Sequence, residues 1–270
     1  MGKLFGVKMT KKYIRQHMGL GDHIICNGLV RYFCEKYDDI AIFCKDSLYE
    51  NIKFMFRDIK HLNVIPFQDK NLNGYCEFYL KNGKRFLVDN LSDLQSLEFI
   101  KNNEIDFDND VINIGFEGLG GLNTRFDKAF YKMHGFDPSF RLDNFYCERN
   151  FEYEDYVFNF LNPNKEKYIF VVDDDKHHFG SLTIDENKLP KGYKIIKYDK
   201  TLNYNDNRFL MYNYRKILEN AEEVHMFQSA FSEFVNSIEL KSPKIYFHLY
   251  LRDYTDGEPI LSKNNLHILR

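Results

Sequence analysis

The residues best suited to chemistry lie in the turn Gly19-Leu20-Gly21-Asp22-His23. A strand-like segment, 13–15, precedes this turn, and the apolar residues of 22–37 recur about every fourth position, which predicts an amphipathic helix. A strand, a glycine turn and a helix together direct backbone N–H groups and a positive helix end towards a ligand. Asp22 would then stand at the mouth of a binding cleft and accept a proton from a hydroxyl group, with His17 or His23 nearby. The same glycines could instead form only a tight turn in which Asp22 caps the helix.

A second candidate site is a charged run that directly follows a predicted buried strand at 168–172: Asp173, Asp174, Asp175, Lys176, His177 and His178. Loops at the carboxyl ends of strands form the binding crevices of open α/β sheets. Because adjacent carboxylates repel one another, we expect a cation among them, either Lys176 or a divalent metal ion held by Asp and His side chains. Lys176 could also hold a phosphate as a point charge. The alternative is a solvated charged turn without a ligand.

A third candidate site is the turn between a predicted strand at 224–227 and a predicted helix at 230–238. It consists of Gln228, Ser229, Ala230, Phe231 and Ser232. Ser229 is a favourable N-cap residue. The turn would also present free N–H groups and two hydroxyls, which suit a diphosphate. The capping role and the binding role are compatible with each other.

Between these sites the chain alternates predicted strands with predicted helices. The first part has strands at 40–44, 62–66 and 111–116, a hairpin at 77–88 around Asn82-Gly83, and helices at 91–102 and 125–134, with a Ser47–Glu50 capping box opening another. The second part has strands at 168–172, 193–198, 224–227 and 244–251, and helices at 154–161, 208–221 and 230–238. This alternation predicts mostly parallel sheets. We therefore expect an α/β protein of two Rossmann-like α/β/α domains, 1–150 and 151–270, facing across a cleft.

Composition narrows the classes of function. The chain has 270 residues, of which 44% are hydrophobic, and a net charge of −3, which provides no general attraction to nucleic acid. The five cysteines include no C-x-x-C pair, which argues against a disulfide framework or a zinc knuckle and favours a reducing cytosol. We find no signal-peptide pattern and no apolar run long enough to cross a bilayer. A cytoplasmic protein with at most peripheral membrane contact is expected.

The three candidate sites together resemble bacterial heptosyltransferase-like glycosyltransferases. In that family a Gly-x-Gly-Asp turn, here Gly19 to Asp22, carries the catalytic base, and a strand-end lysine, here Lys176, contacts the donor phosphates. Residues 227–234 stand where the family has an Asp-Thr-Gly-Leu-Ser-His type of turn that binds the nucleotide sugar. In this chain Gln228, Ala230 and Glu233 replace the acidic residue, the glycine and the histidine of that turn. The resemblance extends over most of the chain in order and spacing.

The resemblance implies the B-type glycosyltransferase fold, with 1–150 on the acceptor side and 151–270 binding the nucleotide sugar. It implies transfer of a sugar from a nucleotide-diphosphate sugar to a hydroxyl of a glycan or glycolipid, with inversion, without a cofactor and without a required metal. Asp22 would be the general base. The donor would be bound by Lys176, Gln228, Ser229, Ala230, Phe231 and Ser232, and the cleft loop would comprise Gly19, Leu20, Gly21 and His23.

Two alternatives remain open from the sequence. Asp173-x-Asp175 also fits the D-x-D signature of metal-dependent A-type glycosyltransferases, which have one Rossmann-like domain and a bound Mn²⁺ or Mg²⁺. The altered donor turn is also compatible with a module that binds a nucleotide or sugar without catalysing a reaction.

Overall fold

The computed structural model describes residues 11–115, 124–174, 181–251 and 258–270. The chain forms two compact units, Met1–Pro138 and Ser139–Arg270, here called the first and second units. The sequence predicted a division after residue 150, and the structure groups 139–150 with the second unit. Each unit contains its own parallel sheet.

The strands of the first unit are β1 Lys12–Gln16, β2 Ile40–Lys45, β3 Leu62–Phe67, β4 Asn71–Tyr79, β5 Arg85–Asn90 and β6 Val111–Ile114. Four of them form a sheet in which all neighbouring strands are parallel, in the order β3-β2-β1-β6. The helices of this unit are α1 Leu20–Ile25, α2 Asn27–Lys36, α3 Tyr49–Met55, α4 Leu91–Asn102, α5 Phe107–Asp110 and α6 Phe126–Lys132. The apolar strand β2, buried on both faces except at its last residue, lies inside this sheet.

The predicted hairpin is present as a separate antiparallel sheet of β4 and β5. Gly83 has φ +82° in its turn, a conformation that favours glycine. One face of the hairpin, including Phe78, Phe86 and Val88, packs onto a core cluster that also contains Leu97 of α4. The strands therefore alternate between a packed face and an exposed face, as their sequence pattern indicates.

Three local predictions in the first unit need correction. The helix expected over 22–37 is two helices that meet at Cys26, beside Asn27 and Gly28, residue types that weaken helices. The Ser47–Glu50 capping box does not form, because the Ser47 hydroxyl donates to Asp69 Oδ2 at 2.8 Å and Leu48 is the N-cap of α3. Pro66 does not end β3, which continues to Phe67; a proline is tolerated there because β3 is the edge strand of this sheet.

The strands of the second unit are β7 Tyr168–Val172, β8 Lys194–Lys197, β9 Glu223–Met226, β10 Lys244–His248 and β11 Leu266–Leu269. They form one parallel sheet in the order β11-β10-β9-β7-β8. The helices of this unit are α7 Phe140–Asp143, α8 Phe151–Leu161, α9 Lys200–Asn205, α10 Arg215–Asn220 and α11 Ala230–Ser237. The expected helix over 208–221 is instead two short 3₁₀ turns followed by α10, and the sequence did not predict β11, whose last three residues are exposed.

Two further observations bear on the expected setting of the protein. In the part of the chain that the structure describes, no helix has both the length and the apolar character needed to cross a bilayer. All the cysteines are free, and Cys26, Cys34 and Cys44 are buried. Burial raises the pKa of the Cys34 and Cys44 thiols to about 12, so these residues serve as small apolar side chains.

Candidate functional site

The turn that carries Asp22 is built by the close approach of its carboxylate to Gly19. Gly19 is the N-cap residue of α1, and Asp22 lies in the first turn of that helix rather than at the cap position. A Cβ atom at residue 19 would lie 2.6 Å from Asp22 Oδ2, so any residue other than glycine would displace the Asp22 carboxylate from this position. Leu20 and Gly21 form the intervening residues of the turn. The half-buried carboxylate thus lies at the positive end of α1.

His17 joins the carboxyl ends of two neighbouring strands. Its Nε2 donates a hydrogen bond of 2.8 Å to the carbonyl oxygen of Gly115, directly after β6, and its ring stacks on Phe130. Gly115 has φ +84°, and a Cβ atom there would lie 2.9 Å from His17 Cδ2 and would also collide with Phe130. His17 therefore holds the carboxyl ends of β1 and β6 together, next to the start of α1.

His23 is an interior residue, contrary to the prediction that it belongs to a cleft loop. Its side chain is fully buried, and Gln16 Nε2 donates to its Nδ1 over 2.5 Å. Burial lowers the pKa of His23 to about 3, so the imidazole is neutral at physiological pH. Residue 23 lies one position after Asp22 on a helix. Successive side chains on a helix point in different directions, so His23 faces the core, as Ile24 does.

The first two carboxylates of the acidic run after β7 form ion pairs with lysines that the sequence did not single out. Asp173 forms an ion pair with Lys197 at 3.0 Å, and Asp174 forms one with Lys200 at 2.8 Å. The cation expected beside these carboxylates is thus present, but it comes from β8 and α9. Asp175, Lys176, His177 and His178 lie outside the described residues, so the predicted phosphate contact of Lys176 stays a prediction. Among the described residues, no group of three or more His, Cys, Asp or Glu side chains could hold a metal ion.

The turn after β9 forms the N-cap that the sequence predicted. The Ser232 amide donates to Ser229 Oγ at 3.3 Å, and the Ser229 amide donates to Ser232 Oγ at 2.9 Å. This reciprocal pair is a capping box, and it fixes the entry into α11. Within the described residues, the amides of Ala230 and Phe231 donate no hydrogen bond. These two N–H groups are what the turn offers an anion.

Several side chains of the predicted donor-binding set point into the protein. Gln228, Phe231 and Ser232 are buried, and Phe231 packs against Phe170 and Tyr198. Ser229 and Ala230 are partly exposed. Any ligand of this turn therefore meets its backbone and the residues Ser229 and Ala230, rather than the ring of Phe231.

Glu233, which stands where the resembling family has a histidine, is part of a buried ion pair. Its Oε2 accepts a short hydrogen bond from Arg141 Nη2, and both side chains are almost entirely buried. Arg141 belongs to α7, in the segment that the structure assigns to the second unit. The pair links α7 to α11, and breaking it by removing one partner would leave an uncompensated charge.

Sequence reasoning missed a hydrogen-bonded chain of four side chains in the second unit: Glu223, His225, His248 and Tyr250. The sequence analysis gave these residues no role. The sequence did contain a usable signal. Glu223 and His225 are two residues apart in β9, and His248 and Tyr250 are two residues apart at the end of β10, so each pair places its side chains on one face of its strand.

Neither the scan of protein families nor the search of curated proteins gives a match to this chain. Among solved structures, the chain is similar to that of a glycosyl transferase family 9 protein from Veillonella parvula DSM 2008, with a TM-score of 0.54 and 8% sequence identity. The similarity covers 97% of this chain and 87% of the other. The fold is the B-type glycosyltransferase fold. At this level of identity the match establishes the architecture, and it confirms the predicted pair of Rossmann-like α/β units.

Proposed function

We propose that this protein is a glycosyltransferase that moves a sugar from a nucleotide-sugar donor to a hydroxyl of a glycan or glycolipid. The observation that carries the proposal is the match in fold along almost the whole chain to a glycosyl transferase family 9 structure. A one-domain, metal-dependent A-type enzyme fits less well, because the chain has two sheet-centred units and because Asp173, the first carboxylate of the D-x-D sequence, is paired with Lys197.

In the proposed reaction the second unit binds the donor. The diphosphate accepts hydrogen bonds from the amides of Ala230 and Phe231 at the start of α11 and interacts with the ammonium group of Lys176. These positive groups stabilise the negative charge that develops on the departing nucleoside diphosphate. The acceptor oxygen displaces the diphosphate directly at the anomeric carbon, and in this proposal the two amides and Lys176, rather than a metal ion, stabilise the leaving group.

The first unit supplies the base. Asp22 removes the proton from the acceptor hydroxyl as its oxygen forms a bond to the anomeric carbon. The neighbouring histidines are less suited to this role. His23 is buried and neutral, and His17 Nε2 is a hydrogen-bond donor to Gly115. The contact between Asp22 and Gly19 supports a positioned carboxylate at this site.

The proposal is tested by measuring nucleotide binding and sugar transfer separately in the variant Asp22→Asn. We expect nucleotide binding to change less than about twofold while transfer falls by about 10²- to 10⁴-fold, the range for loss of a general base. Asp39→Asn is the matched control, because Asp39 forms a partly exposed ion pair with Lys11 in the same unit. Turnover by Asp22→Asn equal to that of the control would remove Asp22 from the mechanism. Saturable nucleotide binding by the unaltered protein with no transfer to any acceptor would favour a binding module.

A further inference from the structure

A continuous chain of hydrogen bonds crosses β9 and β10 and ends at a surface tyrosine. Glu223 Oε2 lies 3.0 Å from His225 Nε2, His225 Nδ1 lies 3.0 Å from His248 Nε2, and His248 Nδ1 lies 2.9 Å from the Tyr250 hydroxyl. Both histidines are more than nine-tenths buried, whereas Tyr250 is 48% exposed. A partly buried carboxylate and two buried imidazoles are thus connected to a group that a ligand can reach.

The chemistry of the partners fixes the direction of every hydrogen bond. A carboxylate only accepts, so His225 Nε2 must carry the proton and its Nδ1 must offer a lone pair. His248 Nε2 then donates to that lone pair, which leaves His248 Nδ1 as an acceptor for the Tyr250 hydroxyl proton. Burial lowers the pKa of His225 and lowers that of His248 to about 4, so both rings are neutral and each has one donor and one acceptor. The proton of Tyr250 is consequently directed inwards, and its oxygen presents lone pairs to the outside.

The position of Tyr250 connects it to the proposed donor turn. In the parallel sheet β10 is the direct neighbour of β9, and Ser229 follows β9 as Tyr250 follows β10. Both residues therefore lie beyond the carboxyl ends of adjacent strands, where ligands bind in open α/β sheets. Lys188 Nζ lies 5.9 Å from the centroid of the Tyr250 ring and adds positive charge at this position. An exposed aromatic ring after the strand next to the proposed diphosphate turn suits a planar base attached to a diphosphate.

We infer that Tyr250 contacts the nucleobase of the donor and accepts a hydrogen bond from a ring N–H or exocyclic amino group, and that Glu223, His225 and His248 are positioning residues that fix this polarity. The inference rests on the proposed function for its ligand, a nucleoside diphosphate. The internal direction of the hydrogen bonds does not depend on that function. The two parts are therefore tested by separate measurements.

The direction of the chain is tested by long-range ¹H–¹⁵N NMR of the histidine rings at neutral pH. We expect His225 and His248 to be protonated on Nε2 in the unaltered protein, and His248 to populate its Nδ1-protonated form in Glu223→Gln, where the amide can donate as well as accept. Glu222→Gln is the matched control, because the neighbouring Glu222 forms an exposed ion pair with Lys167 and should leave both tautomers unchanged. Protonation of His248 on Nδ1 in the unaltered protein would overturn the inference.

The ligand is tested by calorimetric titration with two pairs of probes: UDP against N3-methyl-UDP, and ADP against the purine riboside diphosphate that lacks the amino group. For the pair that binds, we expect Tyr250→Phe to weaken binding of the nucleotide that carries the N–H group by about 3- to 10-fold, the loss of one hydrogen bond. Binding of the analogue without that group should weaken less than about twofold. Glu223→Gln should follow the same pattern to a smaller extent. Tyr75→Phe, at an exposed tyrosine of the first unit, should change neither.

An equal effect of Tyr250→Phe on both members of a pair, or no effect on either, would overturn the assignment of Tyr250 to the base. If GDP, CDP and dTDP are titrated beside these probes, failure of the unaltered protein to bind any nucleoside diphosphate would instead refute the proposed function, and the ligand assignment with it. The NMR result would still decide whether the hydrogen-bonded chain has the stated direction.

Discussion

The position of the candidate base depends on the close approach of its carboxylate to a glycine, which residue type alone does not reveal. The sequence identifies Asp22 because glycines precede it, but only coordinates show that its carboxylate lies against Gly19. The orientation of His23 was not predictable in the same way. A one-residue step along a helix rotates a side chain by about 100°, and the helix boundary at Leu20 decides which of two adjacent polar residues turns inwards.

At the residue scale we predict that His23 makes the protein sensitive to acid. The folded protein binds a proton at His23 only near pH 3, whereas the unfolded chain binds it near pH 6.5. The free energy of unfolding should therefore be highest above pH 6.5 and should fall, by up to about 1.4 kcal/mol per pH unit from this group, as the pH is lowered towards 3.

The measurement is urea denaturation at several pH values for the unaltered protein and for His23→Phe. The variant loses the Gln16 hydrogen bond, which costs about 1–3 kcal/mol at neutral pH, but its stability should fall less steeply below pH 6.5. His267→Phe, at an exposed histidine, serves as the control and should retain the pH dependence of the unaltered protein. Identical slopes for His23→Phe and the unaltered protein would contradict the assignment of His23 as a buried neutral residue.

At the scale of elements, the sequence predicted best those segments whose ends contain residues that start or stop the element, such as an N-cap. Helix α4 begins and ends where predicted, and its N-cap Asn90 accepts a hydrogen bond from the amide of Asp93. Strand β11 was missed because it is a short edge strand with little apolar burial, so tertiary pairing with β10 rather than its own pattern makes it a strand. The expected helix over 208–221 failed for a related reason. Local 3₁₀ turns with buried Asn213 and Tyr214 replace its first half.

The capping box of α11 gives a prediction that separates stability from binding. Ser229→Ala removes the cap and should lower the free energy of unfolding by about 1 kcal/mol. Ser229→Asp retains a good cap and should be nearly as stable as the unaltered protein, but its charge would repel a diphosphate at the Ala230 and Phe231 amides.

We therefore expect Ser229→Asp to weaken nucleoside diphosphate binding about tenfold or more, and Ser229→Ala to weaken it much less. Thermal denaturation and calorimetric titration of the same samples measure both quantities. If nucleotide binding were as strong in Ser229→Asp as in the unaltered protein, the turn would not hold the diphosphate.

At the scale of the whole molecule, the order of strands and helices was sufficient to predict two Rossmann-like units. The main sheet of each unit is parallel, and polar residues follow its strands at the carboxyl edge, as the alternating pattern indicates. The residues that the proposed reaction needs are divided between the units, with Asp22 in the first and Ser229 in the second. The identity of the donor was not predictable, because Gln228, Ala230 and Glu233 depart from the family's turn and Glu233 is engaged with Arg141.

The most direct test of the account is the anomeric configuration of the product formed from a nucleotide sugar of known configuration, followed by ¹H NMR. Direct displacement assisted by Asp22 predicts one glycosidic bond formed for each nucleoside diphosphate released, with the configuration at the anomeric carbon inverted. A product of retained configuration would contradict the single displacement, and release of the nucleoside diphosphate without any glycoside would contradict transfer itself.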